Sequence, residues 1–257
     1  MSSTFTVSRD QIIQLALRKL GVLELGDNPD AATISNASLA LNLLIKQMNT
    51  EGLKLWKNEE LVMPLTAGVN TYSLGGFGSV AMYDSFDINK TTPVTDKPLK
   101  LIQAFYRNNQ STPPVDTPLQ MLSKKEYNDL GSKLSQGVSN SIFYDVKASN
   151  GVLYVYTTPN TTMATNYELH MVMQMPINDI NKAQDIPDFP NEWMNTLVWN
   201  LADQLAIEYS VPSNHRQEIM LRAKTYKDEL TAWDVDTYST FFQPDFRMYV
   251  SGSRNQP

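Results

Sequence analysis

Helical periodicity at both ends of the chain encloses a middle of strand periodicity, and this order restricts the architecture more than any single residue does. Ser8 and Gln11 have the spacing of a capping box, the serine hydroxyl accepting from a free backbone N–H while the glutamine reaches back. Ile12, Ile13, Ala16, Leu17 and Leu20 follow at helical spacing, and Gly21 supplies a left-handed terminus, so residues 9–20 are predicted helical. After a Gly-Asp-Asn-Pro turn at 26–29, Ile34, Ala37, Leu41, Leu44, Ile45 and Met48 mark a second helix that Gly52 closes. The short connection between the two favours antiparallel packing. Helical texture returns after Pro187, where residues 191–209 carry Met194, Leu197, Val198, Leu201, Ala202, Leu205 and Tyr209 on one side. Pro212 breaks that pattern. Ile219, Ala223, Tyr226, Leu230 and Trp233 then recur at alternating steps of four and three, a seam made to lie along another helix.

Between these ends the period shifts to two. Residues 61–65 and 71–74 flank Ala67-Gly68-Val69-Asn70 and read as a hairpin, and residues 75–97 read as a loop rich in Gly, Ser and Asp. Residues 99–106 are a strand candidate, and Ser123 with Glu126 opens a short helix carrying Tyr127 and Leu130. A second hairpin joins 142–146 to 152–156 through a loop ending in Asn150-Gly151. Tyr167, Leu169, Met171, Met173 and Met175 alternate with Glu168, His170, Val172 and Gln174, the mark of a strand with one buried face. The Met row reads as core or interface filling.

Two early helices cannot bury their apolar faces alone, and the two late ones have exposed seams of their own. The expected fold is therefore α+β. It is a discontinuous four-helix bundle, 1–57 together with 186–235, into which an antiparallel β domain, 58–185, is inserted. Residues 236–257 form an extended C-terminal arm. Tyr238, Phe241, Phe242, Phe246 and Tyr249 crowd this arm, and aromatics at such density are expected to dock on the chain's own body or on a neighbouring copy.

Composition narrows the chemistry. The 257 residues include no cysteine and two histidines, which removes disulfides, thiolate metal sites and cysteine nucleophiles. A net charge of −6 argues against gripping nucleic acid through its phosphates, yet leaves room for a wall that DNA passes. The first ten residues lack the apolar run of a secretory signal, and no stretch is apolar enough for a membrane span, so no membrane partner is expected. His170 falls opposite the Met row and is expected to face outward, and His215 reads as a solvated or capping residue in the first turn of the last helix. Neither has the spacing of a metal pair, so no metal or cofactor is expected. Gly75-Gly76-Phe77-Gly78 lacks the lysine and helix of a phosphate loop. Glu192, Asp203 and Glu208 read as a solvated helix face, and Phe105-Tyr106-Arg107 is too short for a stacking platform.

Several stretches taken in order resemble a known family. They are Ala16-Leu17-Arg18-Lys19-Leu20-Gly21-Val22, Leu41-Asn42-Leu43-Leu44, Glu51-Gly52-Leu53-Lys54-Leu55-Trp56, Pro64-Leu65-Thr66-Ala67-Gly68 and Thr71-Tyr72-Ser73-Leu74. Leu119-Gln120-Met121-Leu122-Ser123-Lys124-Lys125-Glu126-Tyr127, Leu153-Tyr154-Val155-Tyr156-Thr157-Thr158-Pro159 and Asp188-Phe189-Pro190-Asn191-Glu192-Trp193 follow, with Leu201-Ala202 and Glu208-Tyr209 beyond. Over about residues 8–235 the chain resembles the head-to-tail adaptor proteins of tailed bacteriophages, especially the tail accessory factor and tail tubular types of short-tailed phages. The resemblance implies a structural virion protein and not an enzyme: a ring, commonly a dodecamer, beneath the portal. Its partners would be the portal ring, neighbouring copies, a downstream tail or nozzle protein and DNA passing without sequence-specific binding. It implies assembly in the host cytoplasm and residence at the head-tail junction. The long β insertion departs from the smaller family members. Ile219, Tyr226, Leu230, Trp233, Tyr238, Phe241, Phe242, Phe246 and Tyr249 are the candidate portal or subunit interface. The alternatives are a virion-associated glycan hydrolase using a carboxylate pair, and a carbohydrate-binding or receptor-binding module.

Overall fold

A computed structural model of the chain describes residues 6–50, 57–76, 78–87 and 89–233. Its helices are α1 (Arg9–Lys19), α2 (Ala31–Thr50), α3 (Lys124–Asp129), α4 (Thr161–Asn166), α5 (Met194–Ala206) and α6 (Ser213–Trp233). The strands begin with β1 (Asn58–Pro64), β2 (Thr71–Leu74), β3 (Met82–Asp84), β4 (Pro93–Val94), β5 (Lys100–Asn108) and β6 (Val115–Pro118). They continue with β7 (Gln120–Met121), β8 (Gln136–Gly137), β9 (Ser141–Val146), β10 (Gly151–Tyr156), β11 (Thr158–Pro159) and β12 (Tyr167–Gln174). The protein is thus a mixed α+β fold, and its strands pair antiparallel except for the two-residue pairings β7–β9 and β8–β11.

The helix ends form as their residues dictate. Ser8 donates its N–H to Gln11 Oε1 at 2.9 Å and its side chain accepts from the Gln11 N–H, and Ser123 and Glu126 repeat the arrangement at α3. At the far end of α1, Gly21 adopts φ +73°, its N–H donates to Arg18 O, and the Val22 N–H donates to Leu17 O. These two bonds satisfy carbonyls that the helix would otherwise leave open. Asp30 caps α2 by accepting from the Thr33 N–H at 2.8 Å, and hydrogen bonds from the Thr33 side chain first and this backbone N–H second hold its carboxyl below the usual carboxylate range. Gly52, the expected end of α2, lies outside the described residues.

Helices from both ends of the chain share one apolar core. Ile12, Leu17, Leu41, Ile45, Leu197, Leu201, Leu205 and Ile219 are all buried in it, and α5 packs against α1, α2 and α6. Ile177, Ile180 and Phe189, on the segment leading out of the sheets, pack into the same core.

A second core lies between the sheets. The six-stranded sheet runs β4-β3-β1-β12-β5-β6 and the four-stranded sheet β2-β10-β9-β7. Leu61, Met63, Met171 and Met173 from the first meet Tyr72, Leu74, Ile142 and Leu153 from the second. The alternation of β12 does what its period requires, sending Leu169, Met171 and Met173 inward. The expected β9–β10 hairpin forms, with Tyr144 opposite Leu153, and Gly151 belongs to the strand, paired with Val146.

Two expectations are corrected. The segments 61–65 and 71–74 do not form a hairpin: β1 pairs along its whole length with β12 and on its other edge with β3, while β2 pairs with β10 in the other sheet. The turn between them is a corner, plugged by the Tyr72 hydroxyl, which donates to Val69 O at 2.9 Å and accepts from the Thr66 N–H. The stretch 75–97 is more than a loop, since it adds β3 and β4 to the large sheet. Gly75 is fixed there at φ +69°, where a Cβ would lie 2.4 Å from the Lys97 Cα.

Where the β strands leave for the helical part, Lys57 and Met175 lie side by side, with the Met175 N–H donating to Lys57 O at 2.8 Å. Lys57, buried at this junction, reaches Asp188 Oδ2 at 2.6 Å and Glu59 Oε1 at 3.4 Å. Burial opposes its charge, but the two carboxylates outweigh that and raise its pKa. Among the described residues, no helix is long and apolar enough to cross a membrane.

Candidate functional site

The seam of α6 divides into an inner and an outer part. Ile219 is fully buried in the chain's own core, so the expectation that it contacts another subunit is replaced by an internal packing role. Tyr226 and Leu230 are partly buried against the same core, and of the described seam residues Trp233, 70% exposed at the end of the helix, is the one that presents a large apolar face outward. The physical reason lies in pairing. Helix α6 spends the first part of its seam on α5, and the steps of four and three that mark a seam do not say which helix receives it. Tyr238, Phe241, Phe242, Phe246 and Tyr249 lie outside the described residues.

A cationic and aromatic cluster braces this part of the molecule. Trp199 of α5 stacks on Tyr226 of α6 with centroids 6.2 Å apart. Lys19 Nζ and Arg222 Cζ lie 5.0 and 5.3 Å from the Trp199 ring. His215 donates from Nε2 to the Lys19 carbonyl at 3.0 Å, so it caps the last turn of α1 from another helix. A capping role was legible for His215, but the helix it caps is set by tertiary packing.

The outer face of the large sheet carries a row read straight across five strands: Tyr83, Val62, His170, Phe105 and Pro118 are successive cross-strand partners. His170 is 4% exposed, which corrects the expectation that it faces solvent. Its ring stacks on Phe105 with centroids 5.0 Å apart, and its Nδ1 lies 2.8 Å from Glu60 Oε1, a donor position for the tautomer protonated there. The outward direction of the residue follows from strand period, but its burial comes from Phe105 on β5, which no local pattern pairs with it. Nε2 is buried with no hydrogen-bond partner among the described residues, so no hydroxyl there is aligned for activation as a triad requires.

Beside this row runs a charge ladder. Glu168 of β12 faces Arg107 of β5, which faces Asp116 of β6. Arg107 grips Asp116 through two bonds of 2.7 Å, and Lys90 pairs with Glu168. The Arg107 bonds hold the Asp116 carboxyl below its ordinary range. Burial raises Glu168, but its bonds with Lys90 and Asn109 outweigh this and the net direction is downward. The ladder was not legible because β6 has little strand pattern.

No group of three or more metal-binding side chains occurs among the described residues. Glu192 and Glu208 are exposed, while Asp203 is partly buried and lines a groove between α2, α5 and α6. The chain matches no known family model and no curated protein.

Proposed function

We propose that this chain is a structural subunit of a bacteriophage head-to-tail adaptor, a ring that joins the portal vertex to the tail and surrounds the DNA passage. The observation that carries the reading is that helices from the two ends of the chain share one core while the middle of the chain builds a separate one. The periodicity of the sequence leads to a four-helix bundle, 1–57 with 186–235, interrupted by a β domain, 58–185, and followed by an arm, 236–257. The resemblance implies the same three kinds of part: a helical bundle, a β domain and a C-terminal arm. A separate β core beside a helical core would let one subunit hold two different neighbours at once. The acidic balance of −6 favours a channel wall to which DNA does not adhere. In this reading the protein is not an enzyme. It assembles in the host cytoplasm, resides in the virion, and uses Trp233 and the arm aromatics to contact the portal or a neighbouring copy.

The test is co-assembly. Purified chain mixed with portal rings is expected to bind them in native mass spectrometry and to add a ring of density below the portal in cryo-electron microscopy. A chain that remains monomeric both alone and with portal rings would exclude the adaptor role. Release of sugar or muropeptide from cell walls would favour a hydrolase instead.

A further inference from the structure

Two exposed surfaces of the helical part are complementary to each other. The first is the connection from α1 to α2. Glu24-Leu25-Gly26-Asp27 is a tight turn closed by the Asp27 N–H donating to Glu24 O at 3.3 Å, and Gly26 takes φ +102° at its third position, where glycine is favoured. Leu25 at the tip is 92% exposed and Val22 beside it 44% exposed. The same connection carries three carboxylates, Glu24, Asp27 and Asp30, and no cation. A tight turn that offers leucine to solvent among carboxylates has the form of a plug.

The second surface is the groove between α2, α5 and α6, of about 430 Å³. Ile207 and Met220, 64% and 53% exposed, give it apolar walls. Among the described residues that line it, Arg216 and Lys224 stand with one carboxylate, Asp203, while Lys227 already has an interaction of its own. Cations gathered in this groove run against the net charge of −6 for the whole chain. The groove therefore matches the plug in both apolar character and sign of charge.

The end of α1 that leads into the plug and the groove meet different stripes of α5. Lys19, at the end of α1, meets Trp199 and His215, whereas the groove is lined by Asn200, Asp203 and Gln204 on the neighbouring stripe of α5. We propose that the α1–α2 turn of one copy seats its Leu25 in the α2–α6 groove of a second copy. Because the two patches differ, the contact is head-to-tail and leaves a plug and a groove free at the ends of every pair, so it repeats into a closed ring or an open chain. The inference rests on the two surfaces and does not require the adaptor reading.

The absence of native cysteine gives a direct test. Asn28→Cys, beside the turn, and Gln217→Cys, one helical turn from Met220, are made as separate variants at exposed positions that leave Leu25 and Met220 in place, and their folding is confirmed by circular dichroism. Mixed in equal amounts with a short bismaleimide, they are expected to give a cross-linked dimer that neither gives alone, and the double variant is expected to give a ladder. Adding Lys224→Glu to the Gln217→Cys partner lowers the yield about tenfold, the scale of one close charge pair, and Asp27→Lys on the other partner restores it. Two results overturn the proposal: no mixed product at concentrations up to about 1 mM, or equal products from each single variant, which would mean a contact of another kind. Failure here is distinguishable from failure of the adaptor role, because that role is read from binding to portal rings.

Discussion

Asn42 of α2 satisfies both backbone groups of Ile180: its Oδ1 accepts from the Ile180 N–H at 3.0 Å and its Nδ2 donates to the Ile180 carbonyl at 3.4 Å. Two turns along the same helix, Asn49 Oδ1 accepts from the Ile177 N–H at 3.1 Å. The chain leaving the β sheets is thus laid along α2 by side-chain amides that act as a strand edge would, which lets Ile177 and Ile180 enter the helical core. Asn42→Leu keeps the approximate volume but strands both backbone groups. Chemical denaturation is expected to show a loss of about 1–3 kcal/mol. A loss near zero would show that the returning segment is held by its isoleucines alone.

Gly151 and Tyr144 are coupled by space. A Cβ on Gly151 would lie 2.0 Å from the Tyr144 hydroxyl, whose position is fixed by donation to Pro98 O at 2.7 Å. Gly151→Ala should cost about 1–3 kcal/mol through overpacking. In the background of Tyr144→Ala the same change should cost much less, and a double-mutant cycle measures the difference. Equal costs in both backgrounds would refute the coupling.

Alkali should weaken the fold. Burial pushes Tyr144 up to about 12 and raises Tyr72, while the carboxylates around Lys57 raise it despite burial. For the tyrosines the unfolded chain gives up its protons first, near pH 10, so stability declines as pH rises from there. For Lys57 the contribution is complete below its unfolded pKa and disappears as pH passes the folded one. Tyr144→Phe should flatten the loss above pH 10, at a cost near neutrality of about 1 kcal/mol for the Pro98 carbonyl left without its donor. Thermal melts across pH 8–12 read both effects.

The charge ladder predicts the acid side. Asp116 and Glu168 have depressed folded pKa values, so their contribution is present above the unfolded value, near pH 4, and is lost as pH falls through the folded one. Glu168→Gln with Asp116→Asn should give a shallower acid limb and leave the melting curve at pH 7 lower than wild type. An unchanged acid limb would remove the ladder from the account.

On α6, Ile219→Ala is expected to cost about 2–5 kcal/mol because it opens a cavity in a sealed core. Trp233→Ala should stay within about 0.5 kcal/mol in the isolated chain while reducing binding to portal rings. If the two variants melt alike, the division of the seam into an inner and an outer part is wrong.

The sequence by itself determined the local elements. Ser8 with Gln11 and Ser123 with Glu126 close their capping boxes, Gly21 ends α1, and the alternation of Tyr167 to Gln174 sends its methionines inward, because each depends on bonds or periods spanning a few residues. Tertiary structure decided the partners. The turn at Gly68 looks like a hairpin but is a corner, because β1 already has a neighbour on each edge. His170 alternates outward yet is buried under Phe105, and Ile219 belongs to a seam yet faces its own core, because each is covered by a residue distant along the chain. Period and caps specify what an element is. Which surface it meets depends on contacts between residues far apart in the chain, and no pattern within a single segment encodes them.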